Sequence, residues 1–271
     1  MVFQHWGLSG DPFAAGAPPF VASASHVEAV ERLGHAIASA EPLAILRAPA
    51  GLGKSTVLTR AIEQARQIGR TIARVSGPID GADLLGGLAE ALGGRRQAGR
   101  AAAWRSLIDA AKVCRWQGRS LVLAVDDCQR LTETVDRRDL DRLPHLDPHP
   151  GARLTVLLVG REALDDEPAC PWRLAIRLAP LSRGEVAAYV DAKLAAAGRV
   201  EPTFTPRALT RLHLLSAGIP RGLDRIAALA LMAGALKGLE VVGPEVVEGV
   251  ARECLGASEG RGGLSRSAVA W

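Results

Sequence analysis

Residues 48 to 56 read Ala48-Pro49-Ala50-Gly51-Leu52-Gly53-Lys54-Ser55-Thr56, a set of types and spacings suited to holding phosphate groups. Glycines at 51 and 53 let the backbone turn its N–H groups toward an anion, and a following helix adds the positive end of its dipole. Lys54 is placed to reach the outer phosphates, and the Ser55 hydroxyl to hold a magnesium ion. All nine residues form the candidate nucleotide-binding set, although Ala48 stands where the pattern usually opens with glycine. Of 33 basic residues only four are lysines, Lys54, Lys112, Lys193 and Lys237. A chain that nearly always uses arginine thus keeps a lysine at this loop.

A second constellation closes the apolar run Leu121-Val122-Leu123-Ala124-Val125, which ends in Asp126-Asp127. An acid at the end of such a strand holds Mg²⁺, often through water, and the next one positions or activates an attacking water. Asp126 fits the first role and Asp127 the second, with one methylene fewer than the glutamate usual there. Further along the chain, Arg161 follows the apolar run Leu154 to Val159 and could sense a terminal phosphate. Arg173 and Arg177 are candidates for an arginine that stabilises transferring phosphoryl charge across a subunit boundary. Arg221, in Gly218-Ile219-Pro220-Arg221, sits at a helix start from which it could reach back to phosphates. Arg95, Arg96, Arg100 and Arg105 could meet a nucleic-acid backbone, against a solvated loop and helix face. His145, Asp147 and His149 lack a third His or Cys ligand and read as a solvated loop.

These residues need elements to hold them. Val27, Val30, Leu33 and Ile37 repeat at helical spacing over residues 26–40. Leu43 to Leu46 is a short apolar strand, the Gly-rich loop follows, and residues 56–68 form a helix with Val57, Leu58, Ile62 and Ala65 inward. Strands are predicted again at 71–75, 121–125, 154–159 and 174–178, with helices over 83–92 and 101–116. The stretch 132–151 reads as polar and proline-rich. Continuous apolar strands alternating with helices imply a doubly wound α/β parallel sheet. After Pro180 only helices are predicted, over 182–197, from 206 to near 218, over 220–238 and over 244–255. Ser182 and Glu185 form a capping box at the first of these. The expected layout is a lead-in and helix over 1–40, an α/β nucleotide-binding domain over 41–180, a helical lid over 181–255 and a disordered tail over 256–271.

Composition sets outer limits. At 271 residues, 48% hydrophobic and 23% charged, the chain has an ordinary globular make-up and is long enough for a full core. Aromatics are only 4%, so that core must be Ala, Leu, Val and Ile. Net charge is +4, compatible with an anionic partner without specifying one. Cys114, Cys128, Cys170 and Cys254 are scattered and form no CxxC pair, as reduced cytoplasmic thiols would be. No run of about 18 apolar residues exists, so no transmembrane segment is expected. Residues Met1 to Trp6 lack the basic and apolar regions of a signal peptide, so none is expected.

Taken in order, these segments resemble the AAA+ ATPases, and within them the ExeA-like branch, the general secretion pathway protein A family, with relatives among transposition ATPases of the TniB and MuB kind. The resemblance covers about residues 3 to 255. It rests on Phe3-Gln4-His5-Trp6-Gly7-Leu8 with Asp11-Pro12-Phe13, Ser25-His26-Val27-Glu28-Ala29, Asp126-Asp127-Cys128-Gln129, Leu157-Leu158-Val159-Gly160, Pro180-Leu181-Ser182 and Gly218-Ile219-Pro220-Arg221. The branch usually has Asp-Glu-Ala-Gln at 126–129 and Gln at 161, so Asp127 and Arg161 depart from it. The resemblance implies a P-loop NTPase fold with a helical lid, ATP and Mg²⁺ as ligands, and nucleotide-driven homo-oligomers. It implies Arg221 as the lid's phosphate sensor and Arg173 as the finger.

Three functions are carried forward. One is a cytoplasmic ATPase that assembles a secretion or pilus machine, peripheral to the inner membrane through a partner. Members of the branch can carry a membrane anchor and a peptidoglycan-binding region after the ATPase, and this sequence is expected to have neither. A second is a DNA-associated regulator of the transposition target-selection type, and a third a slowly hydrolysing nucleotide switch.

Overall fold

A computed structural model describes residues 2–14, 21, 23–77, 84–95, 99–130, 134–161 and 173–259. The chain divides into two compact units, Ala24–Ala179 and a second made of Met1–Ser23 with Pro180–Trp271. In chain order it begins with one helical turn, α1 (Val2–His5), which belongs to the second unit.

The α/β unit runs α2 (Ala24–Ser39), β1 (Leu43–Arg47), α3 (Lys54–Gln67), β2 (Thr71–Ser76), α4 (Leu84–Ala91), α5 (Arg100–Trp116), β3 (Leu121–Asp126), α6 (Thr134–Arg142), β4 (Leu154–Gly160) and β5 (Arg173–Arg177). The five strands form one sheet in the order β2-β3-β4-β1-β5, and each pairing is parallel. β1, β3 and β4 are buried along their whole length, which is why each reads as a mostly apolar run with one polar or charged residue. Alternate residues serve alternate faces. Leu43, Ile45, Leu121, Leu123, Val125, Val156 and Leu158 pack in one core with Leu85, Leu88 and Leu107 of α4 and α5. Ala44, Leu46, Val122, Ala124, Leu157 and Val159 therefore face the other way, toward the layer that holds α2 and α3.

Parallel strands bring all their carboxyl ends to one edge. Arg47 lies opposite Gly160 on one side and Arg177 on the other, and Ser76 lies opposite Asp126. The chain leaves β1 for the far edge at β2, returns through β3 and β4, and ends beyond β1 at β5. Such a reversal of strand order opens the crevice in which ligands of α/β sheets bind.

The stretch 132–151 is more structured than its polar composition predicts. α6 occupies Thr134–Arg142 and a 3₁₀ turn spans Leu143–His145. Leu140, Leu143 and Leu146 enter the core at a spacing of three, and Asp139 is buried in an ion pair with Arg100 at 2.5 Å. Asp147, in the loop read as solvated, has a side chain only 7% exposed, and both its carboxylate oxygens accept from Arg115. Charge at this frequency masks a helix because pairing, invisible in one sequence, is what allows burial.

The second unit is helical: α1 with α7 (Arg183–Ala196), α8 (Pro206–Ser216), α9 (Pro220–Leu236) and α10 (Pro244–Glu259). Its helix starts follow from local chemistry. The capping box of Ser182 and Glu185 is present, Thr205 accepts from the Ala208 N–H, and α8, α9 and α10 each open on proline. α10 runs to Glu259, past Gly256, and residues 260–271 of the expected tail lie outside the described residues. The lead-in supplies core residues: Trp6, Leu8 and Phe13 are buried with Leu194, Phe204 and Leu231. The Trp6 indole N–H donates to the Leu231 carbonyl at 2.9 Å, and Arg199 donates to the Trp6 carbonyl at 2.9 Å.

Candidate functional site

The phosphate-loop sequence folds as its residue types require. Gly51 and Gly53 both take φ of 88°, a left-handed conformation that side-chain-bearing residues rarely adopt. Leu52 between them is fully buried and pins the loop, while Pro49 and Ala50 are exposed. The Ala48 N–H donates to the Gly160 carbonyl, tying the loop to the end of β4. Lys54 is the first residue of α3, and its Nζ donates to the carbonyls of Ala48 at 2.8 Å and Pro49 at 3.0 Å. An ammonium held on the loop's own first carbonyls is carried by the loop it serves.

α3 differs from α7 and α8 at its start. Its N-cap, Gly53, offers no side-chain acceptor, and its first turn holds no acid. The Thr56 N–H donates to the Gly53 carbonyl at 3.0 Å, and the positive end of the helix dipole favours an anion here. Ser55 and Thr56 are exposed on this first turn.

The loop is braced by a residue that periodicity missed. Val27, predicted inward, is 47% exposed, and its neighbour His26 is buried instead. His26 Nε2 lies 2.8 Å from the Leu52 carbonyl, so this nitrogen carries the proton and donates. A Cβ on Gly53 would come within 2.9 Å of the same nitrogen. The glycine thus serves close approach as well as the turn.

Asp126 ends β3 with 4% of its side chain exposed. Its Oδ1 accepts from the Asp127 N–H at 2.9 Å, and its Oδ2 from Arg74 at 2.7 Å. Asp127 has φ of 51°, unusual for a residue with a side chain. Its Oδ1 accepts from the Gln129 amide at 3.1 Å, and the Gln129 carbonyl oxygen accepts from the Arg161 N–H at 3.1 Å. Gln129 therefore links the second acid to the residue after β4. Neither Arg74 nor Gln129 is flagged by motif spacing. Arg74 is a charge inside a short strand, and Gln129 was visible only as part of a resemblance.

Cys128, between these groups, is buried, and its thiol is pushed up to about 12, first by burial and then by the carboxylates of Asp126 and Asp127. It is a packing residue and no nucleophile at neutral pH.

The remaining candidates are sorted by register. Arg161 is exposed just past β4. Arg177 lies opposite Arg47 on the carboxyl edge, with the loop. Arg173 lies opposite Leu43, at the other end of β5, four residues or roughly 13 Å away along a strand. Both are exposed on the edge strand. Arg221 is exposed in the first turn of α9, within the helical unit. There, the Leu181 N–H donates to the Gly218 carbonyl at 2.9 Å, so two segments that stand 37 residues apart in sequence are joined. Of the basic set over 95–105, Arg100 is paired with buried Asp139 and Arg96 falls outside the described residues. Among the described residues no cluster of three His, Cys, Asp or Glu could hold a metal, and no helix is long and apolar enough to cross a membrane.

An uncapped helix start, a lysine carried on a glycine turn, an exposed hydroxyl at Ser55 and a buried carboxylate at Asp126 are chemically suited to a nucleotide phosphate with a divalent cation. Set on a 5-1-4-3-2 parallel sheet with a helical unit following, they define the P-loop NTPase fold of the AAA+ type. An AAA domain family matches residues 37–166. The chain is similar to general secretion pathway protein A of Aeromonas hydrophila, at 32% identity over 251 residues. That similarity covers 88% of this chain and 46% of the relative, so the chain spans less than half of the relative's length. Solved structures of the same fold include Cdc6p from Pyrobaculum aerophilum, with a TM-score of 0.70 at 18% identity over 91% of this chain and 71% of that one. Drosophila ORC bound to DNA has a TM-score of 0.70 at 15% identity, covering 98% and 69%. The RuvB Holliday junction branch migration motor of Thermotoga maritima has 0.55 at 17%, covering 87% and 70%. At these identities the likeness concerns fold alone.

Proposed function

We propose that this chain binds ATP with Mg²⁺ and hydrolyses it between neighbouring copies to drive assembly of a secretion- or pilus-type machine. The observation that carries the catalytic half is the uncapped, lysine-bearing start of α3 on the same sheet edge as Asp126-Asp127. Similarity to general secretion pathway protein A supports the second half.

The residues divide the work. Residues 48–56 wrap the phosphates, and Lys54 balances their charge. Ser55 and Asp126 would hold Mg²⁺, which would supply charge stabilisation for the phosphoryl group being transferred. Asp127 orients the attacking water and accepts its proton. The water oxygen adds to the γ-phosphorus, the bond to the β,γ-bridging oxygen breaks, and ADP leaves with that electron pair. Gln129 holds the Asp127 carboxylate against the end of β4, so that Arg161 beyond it reports on the γ-phosphate. Arg173 stands at the far end of its own sheet from the loop, which suits a finger that serves a neighbouring copy. Arg177 shares the loop's edge and belongs to the copy's own site. Arg221 acts as the lid's sensor. The protein works in the cytoplasm, reaching the inner membrane through a partner.

Phosphate release, measured with and without Mg²⁺ and with and without duplex DNA at two salt concentrations, tests this reading. Mg²⁺-dependent turnover indifferent to DNA supports it. Turnover that rises with DNA and collapses with salt supports a DNA-associated regulator instead. Tight ATP binding with no turnover supports a nucleotide switch.

A further inference from the structure

The two residues assigned to the cation sit on different elements, Ser55 on α3 and Asp126 at the end of β3. Arg74 of β2 spans the gap. One guanidinium nitrogen donates to Asp126 Oδ2 at 2.7 Å, and the other donates to Thr59 Oγ1 at 2.8 Å. Thr59, one turn after Ser55, donates its own hydroxyl proton to the Ser55 carbonyl at 2.7 Å. The result is a continuous chain from the Asp126 carboxylate through Arg74 and Thr59 to the Ser55 backbone. Arg74 is 29% exposed on its side chain, and Asp126 is 4% exposed.

We infer that Arg74, acting through Thr59, is a positioning residue that fixes Ser55 and Asp126 relative to one another and so sets the affinity of the nucleotide site for its divalent cation. The inference rests on the nucleotide reading above. The geometry favours it for three reasons. The planar guanidinium has two separate donors, which a point charge lacks, so it can hold α3 and β3 at once. A buried carboxylate needs a fixed partner to stay in one orientation, and Arg74 with the Asp127 N–H occupies one site on each oxygen. The Thr59 hydroxyl accepts from a cation while donating to a carbonyl, an arrangement in which each bond strengthens the other. Outer partners that orient a metal's ligands typically contribute about 10–100-fold to metal affinity.

The test is a fluorescent ATP analogue titrated with Mg²⁺, read as the Mg²⁺ concentration for half-maximal tight binding, alongside analogue binding in EDTA. The variants are Arg74→Ala, Arg74→Lys, Thr59→Val and the Arg74→Ala/Thr59→Val double. The expected result is a rise of about tenfold or more in the Mg²⁺ requirement for Arg74→Ala. Thr59→Val should give a smaller rise, the double no more than Arg74→Ala alone, and Arg74→Lys partial recovery, all with little change in EDTA. Thr59→Val is nearly isosteric and leaves the ion pair intact, so it reports on the chain if Arg74→Ala fails to fold. An unchanged Mg²⁺ requirement, or additive effects of the two substitutions, overturns the inference. A lowered requirement also overturns it, because it would mean that Arg74 competes with the cation. Failure of the unaltered protein to bind the analogue at all would instead defeat the nucleotide reading.

Discussion

Gly218 gives the sharpest prediction for the helical unit. Its φ is 68°, and a Cβ built there would lie 2.2 Å from the Leu181 carbonyl oxygen and 3.1 Å from the Leu181 nitrogen. Those are backbone atoms in a segment fixed by the Ser182 capping box, so they cannot swing aside as a side chain would. For Gly218→Ala the left-handed backbone costs about 1–2 kcal/mol. Forcing the two segments apart adds about 1–3 kcal/mol of overpacking. Weakening the Leu181-to-Gly218 hydrogen bond adds about 1 kcal/mol. The sum, about 3–6 kcal/mol, should lower the melting temperature by about 6–24 °C at 2–4 °C per kcal/mol. The neighbouring Ala217 offers the opposite test, because it carries φ of 50° with a side chain. Ala217→Gly removes left-handed strain of about 1–2 kcal/mol, offset in part by the extra entropy of an unfolded glycine, and should leave the protein level or slightly stabilised. Circular dichroism melts of both variants decide the matter. A Gly218→Ala protein that melts within about 2 °C of the parent would refute the reasoning, since that allows less than about 1 kcal/mol in all.

Other consequences are checked as directly. Trp6→Ala should destabilise the helical unit by about 3–5 kcal/mol, visible in urea melts, because the buried indole and its bond to the Leu231 carbonyl are both lost. Arg115→Ala strands the buried Asp147 carboxylate and should cost about 3–5 kcal/mol at neutral pH, whereas a rim pair would cost under about 1 kcal/mol. The Cys128 thiol, raised to about 12, stays protonated through pH 8. Peptide mapping after iodoacetamide should find Cys128 unmodified in the native protein and modified in urea. Modification at equal rates in both would contradict its burial.

The central strands of the sheet were legible because strands buried on both faces are mostly apolar, and β1, β3 and β4 each carry a single polar or charged residue. The glycine turn and the acids at strand ends were legible because their chemistry dictates residue type and position. Three other features, two in the site and one in the fold, were not. His26 was hidden behind Val27 because amphipathic spacing rewards the apolar neighbour, although the polar one is buried. Arg74 reads as an ordinary strand charge until β2 is placed beside β3, which no local pattern reveals. α6 was lost because Asp139 is stabilised by an arginine 39 residues earlier in the chain. Each miss is a polar group whose burial depends on a partner distant in sequence. Arg173 and Arg177 looked equivalent in sequence, and only the register of β5 against β1 puts them at opposite ends of the sheet.

The central claim is that the loop around Lys54 holds ATP and that Asp127 drives its hydrolysis. The most direct measurement pairs equilibrium binding of an ATP analogue with single-turnover phosphate release for Lys54→Ala and Asp127→Asn. The account predicts that Lys54→Ala loses binding, while Asp127→Asn keeps binding near the parent value and loses turnover. Undiminished phosphate release from Asp127→Asn, or parent-like binding by Lys54→Ala, would contradict it.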